Sequence, residues 1–428
     1  MDNSNMKYNV RDVPKKWWEW LLYPLQILLS VFVATVLIAN ICGTPISSCL
    51  LGACLGTLVY QVITKFRSPV FISSCGATVS AVCGALALNS AGNNYLMVFC
   101  GGLIILAVYG IFALIVKLTG IKWIDKIFPP TIIGAVTIVI GINLAAFING
   151  YTQVGGAHSD IGILIAIATM LITAVVSHYG KGFMKNIPFL FGIIGGYIIA
   201  LIFTWCGIKV VDFSSFNNMQ WYPDLTFLKW QSSDWSWANL SRTCLFFVPV
   251  AICALLEHVS DHKVLSNIIG RDLINDPGLH RTLLGDGVAS ALGTLTCGLP
   301  NTSYGESIAT IGFSRVASVW ITSAAAVLLG LMSFIGPVSA FIQSIPSCVF
   351  GGCAMILYGF IAASGLKTII NNKVDLNNNK NLTVICVILT VGVSGIWLFD
   401  AAFSGVALAM ILGVVLNLIL REKEPKIN

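Results

Sequence analysis

Long apolar runs separated by short polar breaks fill the chain from about residue 21 to residue 420. A membrane-crossing helix needs about 20 mostly apolar residues. Runs of that kind fall at roughly 21–42, 47–64, 69–89, 95–117, 128–149, 160–179, 187–206, 242–262, 282–298, 300–314, 317–336, 342–364, 381–398 and 401–420. The pattern predicts an all-α polytopic membrane protein with fourteen transmembrane segments. Some runs are too closely spaced for hydropathy to separate them, so charge decides the count. With the amino terminus in the cytoplasm, every Lys and Arg except Lys209, Lys229 and Arg242 falls in a cytoplasmic segment, including Lys181, Lys185, Arg421, Lys423 and Lys426. Basic residues concentrate on the cytoplasmic side of membrane proteins, which predicts both termini inside.

One stretch breaks the apolar pattern at membrane depth: Leu299-Pro300-Asn301-Thr302-Ser303-Tyr304-Gly305-Glu306-Ser307-Ile308. Irregular backbone at that depth is tolerated only where protein or a water-filled cavity surrounds it. A carboxylate there is a functional-site candidate, because its ionised form costs about 2.5 kcal/mol or more at the bilayer centre. The expected structure is a discontinuous helix whose break binds a small polar solute. Fourteen spans divide into seven and seven, which forces inverted topology between halves. The third span, opening Ser68-Pro69 and reaching Gly76, then pairs with the tenth, and Phe128-Pro129-Pro130 pairs with Ser344-Ile345-Pro346. Interrupted segments at matching positions in two halves point to a transporter site.

Composition narrows the class. The chain has 428 residues, of which 57% are hydrophobic and 10% charged, far fewer charges than the roughly one quarter of a soluble domain. The first 16 residues are polar and basic, so no cleavable leader is expected, and Trp17, Trp18, Trp20 and Tyr23 read as an interfacial belt. Thirteen cysteines form no CxxC pair and lie mostly in apolar runs, where a thiol packs as a small hydrophobe. The net charge of +6 is spread over many loops, which argues against nucleic acid. The longest polar stretch, about 207–241, carries Trp221, Trp230, Trp235 and Trp237 and reads as an ordered outer cover.

Four acids lie inside or beside spans: Glu257, Asp261, Asp286 and Glu306. Asp261 follows Glu257 by one helical turn, on the same face. Asp286 sits between glycines, where a helix cap is the plain alternative. His258 and His262 are spaced four apart, as metal ligands are, yet no third ligand accompanies them and no metal is expected. A half-helix amino end offers N–H donors and a positive dipole end. Such donors suit a solute's carbonyl oxygens, and carboxylates suit its ring N–H groups. A carboxylate in low dielectric also takes a proton more readily, so binding and proton coupling are able to share residues. No nucleophile–base pair accompanies the acids, and the chain is not expected to be an enzyme.

The run Glu257-His258-Val259, Asn275-Asp276-Pro277-Gly278-Leu279-His280-Arg281 and Pro300-Asn301-Thr302-Ser303-Tyr304-Gly305-Glu306 closely resembles the nucleobase–ascorbate transporter (nucleobase:cation symporter-2) family, and within it the bacterial uracil:proton symporters. Phe128-Pro129-Pro130, Leu357-Tyr358-Gly359, Ala363-Ser364-Gly365, Lys373-Val374-Asp375 and Gly392-Val393-Ser394-Gly395 extend the match. The resemblance implies seven-plus-seven inverted repeats. It places a core at 1–122 and 241–338 and a gate at 123–240 and 339–428, with a short strand in each of spans 3 and 10. It further implies a homodimer in the cytoplasmic (inner) membrane and elevator-type movement. Protons would be the coupling ion, with no other cofactor. Carried over residue by residue, Glu257 and Glu306 bind a pyrimidine, lined by Tyr304, Gly305, Ala34, Cys75 and Tyr358, while Glu257, Asp261 and Asp286 serve proton coupling. The chain departs from the family at Cys75, where the symporter has an aromatic, at Ile27 in place of a histidine, and at Ser307-Ile308-Ala309 after the acid. Asp261 also occurs in xanthine and urate carriers of the family, so a purine is the alternative solute. An anion carrier or channel of the same architecture is a further alternative, against which both Glu residues argue.

Overall fold

The third and tenth apolar runs do not form continuous helices; each begins with a three-residue strand, and the two strands cross. β1 (Ile72–Ser74) pairs antiparallel with β4 (Asn301–Ser303), with Ser73 opposite Thr302. Two further bonds extend the crossing, from Cys75 N to Pro300 O at 2.8 Å and from Tyr304 N to Phe71 O at 3.1 Å. A computed structural model describes residues 6–89, 91–145, 148–154, 157–181, 184, 187–217, 219, 221–396 and 405–420. Lys185, Arg421, Lys423, Lys426 and the start of the last expected span, 401–404, lie outside the described residues.

The helices that carry the argument are α1 (Glu19–Cys42), α2 (Ile46–Ile63), α3 (Val79–Leu86), α4 (Tyr95–Thr119), α5 (Lys122–Ile127), α6 (Pro130–Leu144), α7 (Ile148–Tyr151), α8 (Asp160–Tyr179) and α9 (Pro188–Trp205). After a long connection follow α10 (Trp237–Ile269), α11 (Leu279–Cys297), α12 (Gly305–Ser314), α13 (Val319–Met332), α14 (Gly336–Ser344), α15 (Ser347–Asn371), α16 (Asn379–Val393) and α17 (Gly405–Ile419). A second strand pair, β2 (Gln153–Val154) with β3 (Ala157–His158), closes the turn before α8. Left-handed glycines end two of the longest helices: Gly43 at φ 64° closes α1 and Gly270 at φ 65° closes α10, the usual device for satisfying the last carbonyls.

Among the described residues, seven helices are long and apolar enough to cross a membrane by themselves; α13 and α14, bent by 82° at their junction, make an eighth if taken as one span. Of the other expected spans, α11 is long enough at 19 residues but less apolar, and the rest are short or broken helices, among them α6 and α16 at 15 residues each. Such a helix rises only about 22 Å, against a hydrocarbon layer of about 30 Å.

Packing sorts the helices into two groups. In one, α11 lies between α2 and α4, with α1, α3, α10 and α13 around them; in the other, α15 packs on α6 and α8, with α9, α16 and α17 alongside. Close helix approach in lipid relies on small residues. A Cβ on Gly134 would come within 2.7 Å of Gly365 O, and one on Gly365 within 2.5 Å of Gly134 O. The groups touch along α10, where Cys253 Sγ lies 3.4 Å from Met410 Sδ of α17.

Two connections brace the first group. The segment 206–236 is fixed to α2 by Ser48 Oγ donating to Asp224 O (2.5 Å), to α11 by Thr226 Oγ1 donating to Leu295 O (3.2 Å), and to the start of α4 by Asn94 Nδ2 donating to Asp234 O (3.1 Å). It thus covers helices of both halves of the chain. At the opposite side the amino-terminal residues run beside 315–319. Lys7 N donates to Arg315 O (2.8 Å), Ala317 N to Tyr8 O (2.9 Å) and Val319 N to Val10 O (2.9 Å), and Ser318 Oγ reaches Asp12 O (2.6 Å). The buried Glu19 anchors this strap by accepting from Tyr8 OH (2.6 Å) and Lys7 Nζ (2.9 Å).

Candidate functional site

Unpaired backbone at membrane depth must find partners inside the protein, and polar side chains of the flanking helices supply them here. Thr57 Oγ1 on α2 donates to Ile72 O (2.8 Å) and accepts from Ile72 N (3.0 Å). Gln61 Nε2 donates to Val70 O (3.2 Å), and Thr322 Oγ1 of α13 to Pro69 O (3.1 Å). On the other strand Ser290 Oγ of α11 donates to Asn301 O. Asn301 is buried, and its Nδ2 donates to Gly52 O (2.9 Å) and Ala289 O (3.2 Å). It fits only because both helices are bare beside it: a Cβ on Gly56 would stand 2.6 Å, and one on Gly293 2.7 Å, from Asn301 Nδ2.

The crossing aims the acids. β4 leads directly into α12, placing Glu306 in that helix's first turn, where the dipole favours negative charge. Glu257 lies midway along α10, within direct electrostatic range of Glu306 and of Asp286. The two neighbouring hydroxyls of β4 each serve a different acid. Ser303 Oγ donates to Asp261 Oδ2 (2.8 Å) and Thr302 Oγ1 to Asp286 Oδ2 (3.1 Å). Asp286 and Tyr304 are buried, whereas Glu257, Asp261 and Glu306 are partly exposed. A Cβ on Gly305 would meet nothing within 4 Å, so the backbone at the helix start borders open space.

Cys75 is buried at the end of β1, within electrostatic range of Glu257 and Asp286. Tyr304 OH approaches Thr35 without a hydrogen bond of good geometry, and Thr35 Oγ1 lies 2.6 Å from Ser73 Oγ of β1. Ala34, the neighbour of Thr35 on α1, is buried. Tyr358 belongs to the other packing group. It is buried on α15, its hydroxyl has no hydrogen-bond partner among the described residues, and it lies within electrostatic range of Cys42 at the end of α1. Of the departures from the family pattern, Ile27 is a plain core residue and Ser307 Oγ donates to Tyr304 O (2.7 Å), bracing the start of α12.

Thr57 and Ser290 were not singled out from the sequence, and Asn301, Thr302 and Ser303 stood out only as part of the polar break, with no partner assigned to any of them. His258 and His262 lie ring to ring, centroids 4.0 Å apart and planes tilted by 30°. His262 is engaged by its own helix, Nδ1 lying 2.9 Å from His258 O, and by Tyr60 OH, 2.8 Å from its Nε2.

Comparison with known proteins places this geometry. A family model described as a permease family, Xan_ur_permease, matches residues 18–401. Uracil permease of Bacillus subtilis (strain 168) is 37% identical, covering 99% of this chain and 97% of its own length. That of Bacillus caldolyticus is 38% identical over 94% of this chain and 92% of its own length. That of Escherichia coli (strain K12) is 35% identical over 93% and 90%. Among solved structures, the transmembrane domain of a cyanobacterium bicarbonate transporter, BicA, shares the fold at TM-score 0.65 and 13% identity, covering 95% of this chain and 98% of that one. The inward-facing murine Solute Carrier 26 family member A9 anion transporter does so at 0.67 and 11%, covering 95% and 69%. With the family model spanning most of the chain and relatives at 37% and 38% identity along nearly all of it, the chain belongs to this permease family, the nucleobase–ascorbate transporters, and is a multi-pass membrane permease.

Proposed function

We propose that the chain takes up uracil across the cytoplasmic membrane together with a proton. The observation that carries the reading is the placing of two carboxylates, Glu257 and Glu306, within electrostatic range of each other beside the strand crossing. Uracil alternates carbonyl oxygens with ring N–H groups. The amino end of α12 offers N–H donors to the oxygens, the two carboxylates accept from the N–H groups, and Gly305 leaves room for a flat ring to approach. The uracil permeases that match along the whole chain support the solute assignment.

In this reading the fourteen segments form seven-plus-seven inverted repeats with both termini cytoplasmic. Residues 1–122 and 241–338 make a core that carries the solute, and 123–240 and 339–428 make a gate against which it moves as an elevator. Two copies associate as a homodimer. The two packing groups support that division. Asp261, held by Ser303, favours the second reading, a xanthine- or urate-type purine in the same site. The fold shared with anion transporters does not extend to an anion cargo here, because Glu257 and Glu306 would repel it.

Uptake of radiolabelled uracil into cells lacking their own carrier tests the proposal. Uptake abolished by a proton uncoupler and by Glu257→Gln is the expected result. Uptake indifferent to the uncoupler removes the coupling, and competition by unlabelled xanthine but not uracil replaces the solute.

A further inference from the structure

A buried polar group behind the crossing strands is not accounted for by the two Glu residues. His258 Nδ1 stands 2.6 Å from Asp286 Oδ2, and neither side chain has exposed surface. The approach is close but not aligned as a regular hydrogen bond, and His258 Nε2 and Asp286 Oδ1 have no partner among the described residues. Two buried atoms left open in one contact call for a physical reason.

The neighbouring ring shows what a committed histidine looks like. His262 Nδ1 lies 2.9 Å from a carbonyl oxygen, which only accepts, so the proton is on Nδ1 and Nε2 accepts from Tyr60 OH (2.8 Å) or Ser68 Oγ (3.3 Å). Its partners dictate its tautomer. The partners of His258 do not. A nitrogen 2.6 Å from a carboxyl oxygen needs a proton between them, which leaves Nε2 as the atom that gains or loses one. With Nε2 protonated the pair is neutral overall, as imidazolium–carboxylate or as imidazole–carboxylic acid; without it the pair is a buried anion. The titratable groups facing the pair are Tyr60 of α2 and Tyr109 of α4, edge-on to His258 with centroids 6.5 Å away, Cys75 at the end of β1, and Glu257, Asp261 and His262 of its own helix. None is a fixed cation, so a proton is the only positive charge these groups bring to the pair.

We propose that His258 and Asp286 together hold a second transport proton, taken up and released at His258 Nε2. The proton exchanged with the outside is the one on Nε2, whose N–H bond forms and breaks, while the proton between Nδ1 and Oδ2 stays within the pair. The proposal rests on the proton-coupled reading above and places its second proton behind the strands, away from the solute. Because Asp286 lies within electrostatic range of Glu257, each site feels the other's charge, and the two protons are coupled without sharing a residue.

His258→Gln keeps an amide able to donate to Asp286 but leaves nothing to titrate. With purified full-length chain in proteoliposomes, uracil exchange without a gradient is expected to persist, while accumulation driven by a proton gradient falls by about tenfold or more and its pH profile flattens. Asp286→Asn gives the same pattern. The idea is overturned if both variants match the unaltered protein in accumulation and pH profile, or if exchange is lost along with accumulation in variants that melt normally. Should His258→Gln fail to fold, Asp286→Asn carries the test, read by infrared pH titration without solute: one buried titrating carboxyl band of the unaltered chain disappears in the variant while those of the other acids remain, and a titration unchanged from the unaltered chain overturns the proposal. If the unaltered protein neither binds nor exchanges uracil, the solute reading falls, while the same infrared titration still decides the pair.

Discussion

Ser73 and Thr302 face each other where β1 crosses β4. Counting along each chain from that pair sets Ser74 beside Ser303 in role, then Cys75 beside Tyr304, Gly76 beside Gly305, and Ala77 beside Glu306. The backbones on the two sides are supported alike, Thr57 holding the carbonyl of Ile72 and Ser290 that of Asn301. The side chains are not alike. The first strand's Ser73 meets another hydroxyl, Thr35, whereas Thr302 and Ser303 meet carboxylates, and the helix start that carries Glu306 corresponds to one that carries a methyl group. Two segments build the crossing, and one of them carries the charge.

The difference is broken most sharply by removing that charge. Glu306→Ala is expected to lower initial uracil uptake at low concentration on the order of 100-fold, about 2.7 kcal/mol, the size of hydrogen bonds to a charged group. Adding Ala77→Glu in the same chain should not restore it, since the supporting acids contact only the second strand. Restoration would mean that the two sides are interchangeable. Next in size, Asn301→Ala removes the side-chain donor that ties Gly52 O of α2 to Ala289 O of α11, leaves a gap between the two helices and should cost about 1–3 kcal/mol. Ser74→Ala, at the position opposite, should stay within about 0.5 kcal/mol, both measured by unfolding in detergent. Gly305→Ala meets open space and starts a helix, so its melting temperature should hold or rise. Its apparent uracil affinity should nevertheless fall by about 3- to 10-fold, in line with a methyl group that crowds the solute, at about 1 kcal/mol. Gly76→Ala should leave affinity unchanged.

The smallest effect sits where the first break enters. Asp276 accepts from Arg271 and from Arg67 (2.6 Å), the residue before Ser68-Pro69, and its carboxyl is held below the usual range, first by Arg271 and then by Arg67. A lowered folded-state value means stability that is present above the unfolded value of about 4 and lost as pH falls through the folded one. The side chain is 43% exposed, so screening keeps the contribution of this ion pair below about 1 kcal/mol. Asp276→Asn should therefore destabilise slightly at pH 7, less in high salt, and not at all in acid below the folded-state value.

Much of this was legible in the sequence. The long apolar runs, the interrupted third and tenth segments and the four stranded acids follow from hydropathy, Pro and Gly positions, and the cost of charge in lipid. The register was not. Pairing Pro69 with Pro300 sets the two breaks two residues out of step with the strand contacts, in which Phe71 occupies the place of Pro300 and the glycines Gly76 and Gly305 correspond. Three-residue strands leave no periodicity to read. Thr57, Ser290 and Asn301 look like ordinary helix and loop residues until the carbonyls they satisfy are known. His258 read as half of a metal spacing because the Asp286 carboxyl it meets lies 28 positions further along the chain.

The strap at the amino terminus imposes an order on biogenesis. Asp12 and Ser318 are 306 residues apart in sequence; at roughly 5–20 residues per second the second arrives about 15–60 s after the first. Through that interval the opening segment has no edge to join, and Glu19 has only groups of its own segment, Lys7, Tyr8 and the Lys16 N–H, to balance it. A nascent chain stalled before residue 315 should therefore leave residues 7–12 open to protease, and one extended past 319 should shield them.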